Sequence, residues 1–137
     1  MSDTIRSVDY FYVQVPDKAG EGRGILSALK EDGVNMLAFS GFPVAGGKTQ
    51  IDLVPEDPVA FHAAATRRGL KLSDRKRAFL VQGEDRVGAV ADIHDKLASR
   101  GINVVSAQGL CAGGGHWSMI LWVAPGDYQR AREALGA

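Results

Sequence analysis

Two four-residue stretches hold the residues of this chain best suited to chemistry: Asp17-Lys18-Ala19-Gly20 and, 68 positions on, Asp85-Arg86-Val87-Gly88. At one and the same spacing each is followed by a Gly-[Val/Ile]-Asn triplet, Gly33-Val34-Asn35 and Gly101-Ile102-Asn103. A glycine at the opening of a helix lets backbone N–H groups approach an anion, and the helix N-terminus favours negative charge. An asparagine carries a donor and an acceptor on one group, and Asp17 or Asp85 can receive an ammonium. Together these residues suit non-covalent capture of a small molecule bearing both charges, such as a free amino acid. The same residue types have purely structural uses: Asp as a helix N-cap, Gly as a turn former, Asn after Gly in a turn.

The pairing extends beyond the signatures. Residues 11–53 laid over 79–121 without a gap give 13 identities in 43 positions, among them Phe11/Phe79, Val13/Val81, Leu29/Leu97, Gly41/Gly109 and Gly46-Gly47/Gly114-Gly115. Composition alone would give roughly three. The chain is an internal duplication, read as one repeat over 6–74 and a second over 77–137. Units of this size bury a marginal core on their own, so each is expected to lean on the other or on a second chain.

Lys+Arg and Asp+Glu balance at 16 each. Phosphate backbones and anionic membranes select clustered positive charge, so neither nucleic acid nor membrane is an expected partner. Arg75-Lys76-Arg77 is a solvated linker between the repeats. No apolar stretch is long enough to span a bilayer, Met1-Ser2-Asp3-Thr4 opens no signal-type apolar run, and Cys111 is the single cysteine. The expected setting is cytoplasmic.

Each repeat spells strand, helix, strand, hairpin, strand, helix. In the first, alternation predicts a strand over Tyr10 to Val15, with Phe11, Val13 and Val15 on one side. A helix follows with Ile25, Leu26 and Leu29 inward, then strands over 34–42 and 49–54 around Ala45-Gly46-Gly47. Asp57 and Pro58 start a second helix that ends at Gly69, and Leu70-Lys71-Leu72 forms a short fourth strand. The second repeat predicts strands over 78–82, 102–110 and 116–123, a helix over 88–100 with Val87, Val90, Ile93 and Leu97 inward and another over about 126–135, and then the chain ends. The fold class is α+β: two ferredoxin-like βαββαβ repeats, the second lacking its last strand, with antiparallel sheets and helices on one face. Phe11, Val13, Ile51 and Leu53, with Phe79, Val81, Met119 and Leu121, belong under the helices. Tyr10, Tyr12, Gln50 and Asp52 occupy the other face of repeat one, and Leu80, Ile120 and Trp122 that of repeat two. The latter trio is too apolar for open solvent. The face is expected to be covered, either by the other repeat or by a second protomer, and a homodimer is expected through it or through the unpaired edge of strand 78–82.

The paired Asp-x-x-Gly, helix, Gly-[Val/Ile]-Asn pattern within this order of elements resembles the ACT domain, the small regulatory module of amino-acid metabolism, over about residues 8–136. The resemblance implies an amino-acid site where two such units meet, formed by Asp17, Lys18, Ala19, Gly20 and Asn35 and by Asp85, Arg86, Val87, Gly88 and Asn103. It implies a regulated enzyme as partner and no catalytic residue, cofactor or metal in this chain. Many members have proline before the glycine, whereas Ala19 and Val87 stand there.

Other features carry less. Gly20-x-Gly22-x-Gly24 lacks the Lys-Ser/Thr of a phosphate loop and reads as a loose helix start. Cys111 and His116 flank a hairpin tip, and His62, His94 and His116 show no metal-ligand spacing. Phe11 to Asp17 is similar to the opening strand of vicinal-oxygen-chelate enzymes, but a helix over 58–68 stands where that fold needs strands, and no His marks the first strand. The alternatives are an interaction or assembly module with vestigial ligand sites, and a metal-dependent enzyme of that rival fold.

Overall fold

The computed structural model describes residues 3–137; Met1 and Ser2, on which the reading of the N-terminus partly rests, lie outside the described residues. Six strands and four helices follow one another: β1 (Thr4–Pro16), α1 (Glu21–Glu31), β2 (Met36–Val44), β3 (Lys48–Pro55), α2 (Pro58–Arg67), β4 (Lys76–Glu84), α3 (Ala89–Ala98), β5 (Val104–Gly113), β6 (His116–Val123) and α4 (Tyr128–Leu135). A short 3-10 turn, Pro125–Asp127, precedes α4. The described residues form two compact units, Asp9–Lys76 and Asp3–Val8 together with Arg77–Ala137.

In the unit Asp9–Lys76 the strand order is β2-β3-β1. Antiparallel pairing sets Phe11 opposite Leu53 and Val13 opposite Ile51. The strict alternation of β1 sends Phe11 and Val13 to the helix side, where they meet Leu29 of α1 and Phe61 and Ala65 of α2. The Phe11 and Phe61 rings lie 5.2 Å apart, tilted by 37°. Asp57 caps α2 through its carboxylate, which accepts from the Val59 and Ala60 amides at 3.1 Å, and Pro58 preorganises the first turn.

The predicted strand at Leu70-Lys71-Leu72 does not form. Leu70 and Leu72 still pack against the core. The Ser73 amide donates to the Tyr12 carbonyl, but the Tyr12 amide turns to the Ser73 hydroxyl, each at 2.9 Å. A side chain thus takes the place of the carbonyl that would continue a ladder.

The other unit corrects a larger expectation. The second repeat does not lack its fourth strand, and strand 78–82 is not an open edge: the sheet order there is β1-β4-β6-β5, the β1 residues of this unit being Thr4–Val8. The periodicity of Ile5-Arg6-Ser7-Val8-Asp9 is diluted by polar residues, which hid this half of a 13-residue strand. Ile5 packs on the core built from Phe79, Val81, Ile93, Leu97, Met119 and Leu121. Tyr128 stacks on Phe79 with ring centres 5.3 Å apart, and its hydroxyl is bonded to that of Ser7.

The helix-side residues expected from alternation are those of the two cores. On the opposite face, Leu80, Ile120 and Trp122 are 5 %, 5 % and 6 % exposed in the single chain. The face is thus covered without a second protomer.

Candidate functional site

The two signature loops are built alike. In each, a backbone amide of the aspartate donates to a glycine carbonyl at the neighbouring hairpin tip, Asp17 to Gly47 and Asp85 to Gly115, both at 2.9 Å. The hairpin glycines 46, 47, 114 and 115 all have positive φ, which accounts for the repeated Gly-Gly pair. Gly20 (φ 91°) and Gly88 (φ 83°) then turn the chain into α1 and α3 in the left-handed region. Neither helix has a side-chain cap; the first amides, of Glu21 and Ala89, donate to the Lys18 and Arg86 carbonyls at 3.4 Å, and the next ones have no capping side chain.

The loops differ in what surrounds them. Asp85, Arg86 and Gly88 line an open pocket of about 260 Å³, which Val90, Leu110 and Trp117 also border. Cys111 of β5 also lines it, and its thiol bonds to Asp85; that hydrogen bond, with burial second, pushes the thiol pKa up. The Arg86 guanidinium is already spent inside the protein. It donates to both oxygens of Asp3 at 3.0 Å and to Asp92 at 3.0 and 3.3 Å. Val87 is fully exposed.

In the first copy, Asp17 accepts a hydrogen bond from the Thr49 hydroxyl at 2.9 Å. Lys18 forms an exposed ion pair with Glu21 at 3.4 Å, and Ala19 is exposed. The Asn35 side-chain amide donates to the Glu56 carboxylate at 2.8 Å, a structural use of that side chain, and the Asn35 backbone carbonyl accepts from the Glu56 amide. Asn103 lines a different pocket from Asp85, together with His94, Ala98 and Ile102. The tertiary structure therefore gathers Asp85, Arg86 and Gly88 around one cavity but puts Asn103 on another.

The bordering residues Val90, Gly109, Leu110 and Trp117 lie outside the signature motifs. Their signal is in the repeat register, where Val90 stands over Gly22 and Trp117 over Thr49. Cys111, near the end of β5, and His116, at the start of β6, flank the hairpin tip at Gly114-Gly115. Among the described residues no group of three or more His, Cys, Asp or Glu side chains is placed to hold a metal ion. A larger groove of about 930 Å³ lies in the unit Asp9–Lys76, bordered by Phe11, Val59, His62, Leu70 and Arg75, and none of the signature residues lines it.

No protein-family model matches the chain, and no curated protein matches it in sequence. Solved structures do match its fold. Protein BT0572 from Bacteroides thetaiotaomicron superposes with a TM-score of 0.82 at 13 % identity, over 96 % of this chain and 88 % of that one. The ligand-free regulatory subunit of aspartate kinase from Thermus thermophilus gives 0.65 at 15 % identity, over 98 % and 94 %. The corresponding subunit from Thermus flavus gives 0.60 at 16 %, over 99 % and 95 %. At these identities the likeness is one of architecture, and it makes the fold of this chain α+β and ACT-like.

Proposed function

We propose that this chain is an amino-acid-binding regulatory module without catalysis of its own, composed of two ACT-like repeats (6–74 and 77–137), acting on an enzyme in the cytoplasm. The observation that carries the reading is the pocket at the Asp85 loop, where a carboxylate and an uncapped helix start face one cavity beside apolar walls. Such a cavity offers an acceptor for an ammonium, amides for a carboxylate and room for a side chain. Support also comes from the fold it shares with structures described as regulatory subunits of aspartate kinase. To carry a signal, the ligand must bind one conformation better than another.

A thermal-shift screen of the twenty amino acids at millimolar concentration tests this. A ligand at 100 times its Kd adds about 2.7 kcal/mol, a rise of several degrees for a chain of this size. A rise with one amino acid or a few related ones is the expected result. If none of the twenty raises the melting temperature, the reading is wrong.

One observation favours assembly as a second role. β5 ends the sheet of its unit, nine of its ten residues are exposed, and Val105 and Leu110 are 62 % and 63 % exposed. An outer strand of this kind is a pairing template for a second copy. Sedimentation over a range of concentrations would show a dimer if β5 pairs, and a monomer throughout would remove this role.

A further inference from the structure

We propose that Asp3 is a tethered ligand: its carboxylate fills a carboxylate-binding site built by Gly83, Arg86 and Trp117, and when Asp3 withdraws, the site takes a small free monocarboxylate. The proposal goes beyond the amino-acid reading above and does not depend on it. Gly83 of β4 and Trp117 of β6 are partners in the sheet register, and Arg86 follows two residues after β4. Arg86 donates to both Asp3 oxygens at 3.0 Å, and the indole N–H adds a third bond at 3.2 Å. Gly83 supplies the room, since a Cβ there would collide with the Asp3 carboxylate and lie 3.2 Å from the indole nitrogen. A planar guanidinium fork that meets two oxygens side by side is the geometry that recognises a carboxylate.

The site does not need its occupant to keep its shape. Arg86 is also held by Asp92, at 3.0 and 3.3 Å, and by the Glu84 carbonyl at 3.4 Å. Trp117 is 3 % exposed and belongs to the core of its unit. Loss of Asp3 would leave a positioned cation and a buried N–H donor short of an acceptor, and a matching anion relieves that cost. The Arg86 side chain is 29 % exposed and borders the Asp85 pocket, which gives a solute a path to it.

Asp3 is also placed to leave. It precedes β1, Thr4 is exposed, and packing on the core begins at Ile5. While it stays, tethering gives its carboxylate an effective concentration on the order of millimolar, which free carboxylates at lower levels do not overcome. The contact is therefore autoinhibitory. It belongs to the second copy alone, for Gly83, Arg86, Asp92 and Trp117 stand over Val15, Lys18, Gly24 and Thr49. Lys18 is paired with Glu21 and Thr49 with Asp17, so the first loop has no such cradle.

Thermal melts of the full chain at pH 7 in about 0.2 M sodium formate, against sodium chloride of the same strength, test this. Formate is the group that Asp3→Ala removes. It should raise the melting temperature of Asp3→Ala by at least about 3 °C more than that of the wild type, whose site is filled. The gain should vanish in Asp3→Asn, whose amide still fills the cradle, and in Asp3→Ala combined with Arg86→Gln. If Asp3→Ala is unfolded at 25 °C, recovery of its circular dichroism spectrum with added formate reads the same binding. An equal response in wild type and Asp3→Ala, a gain that survives in either control, or no recovery of an unfolded Asp3→Ala overturns the inference.

Discussion

The Arg86 guanidinium grips the Asp3 carboxylate with two hydrogen bonds of 3.0 Å, and Trp117 adds a third from its indole N–H at 3.2 Å. The loop before α3 is thereby tied to the start of β1, and one wall of the pocket, Trp117, is held by the same carboxylate. Gly83 makes the arrangement possible, because a Cβ at that position would collide with the Asp3 carboxylate. The Asp3 side chain is 5 % exposed. A charge so placed survives only because it is paired and fully hydrogen-bonded.

Removing it should therefore be felt. Asp3→Ala leaves the indole N–H of Trp117, a residue 3 % exposed, without its acceptor, which costs about 1–3 kcal/mol. Urea unfolding of the variant reads the loss directly. A change under about 0.5 kcal/mol would mean that the contact adds nothing to stability.

The same carboxyl makes a pH prediction. Hydrogen bonding from Arg86 holds the Asp3 pKa below its ordinary value, against the opposing effect of burial and with help from Trp117. A depressed folded pKa gives stability that is fully present above the unfolded value of about 3.9 and is lost as pH falls through the folded value. Asp3→Asn should thus show a shallower loss of stability than the wild type when pH is lowered from about 5. Parallel acid profiles for the two proteins would contradict the ion pair.

Asp52 should behave in the opposite sense. It is 7 % exposed, and burial raises its pKa despite a hydrogen bond of 3.0 Å from Gln50. The folded chain then binds this proton more readily than the unfolded one, and stability falls as pH rises from the unfolded pKa to the folded one. Asp52→Asn should stabilise the protein at pH 7 by about 1 kcal/mol and lose that advantage in acid. Thermal melts of both proteins at the two pH values check it.

Deletion of the residues up to Val8 should disable the unit that holds the pocket. It strips the strand beside β4, takes Ile5 off the core and leaves Arg86 without Asp3. A loss of at least about 2 kcal/mol and concentration-dependent aggregation through the bared β4 edge are expected. Light scattering and a melting curve measure both, and a monodisperse variant with unchanged melting temperature would refute the role given to Thr4–Val8.

Much of this was open to inspection in the sequence. The 68-residue repeat, the alternation of Phe11, Val13, Ile51 and Leu53 and the Asp57-Pro58 helix start are local signals, and they place strands, helices and core faces as observed. The paired Asp-x-x-Gly stretches likewise mark both loops, because a left-handed glycine at a helix start depends only on neighbours along the chain. What the sequence could not decide depends on groups brought together from afar. That β4 is flanked by β1 and so is not an open edge is a matter of pairing between strands far apart in the chain, and polar residues blur the pattern of Thr4–Val8. That Arg86 is consumed by Asp3, that Asn35 serves Glu56, and that Asn103 faces another cavity are outcomes of tertiary packing. Two loops spelled almost alike thus acquire different chemistry, because β6 sets a tryptophan beside one aspartate where β3 sets a threonine beside the other.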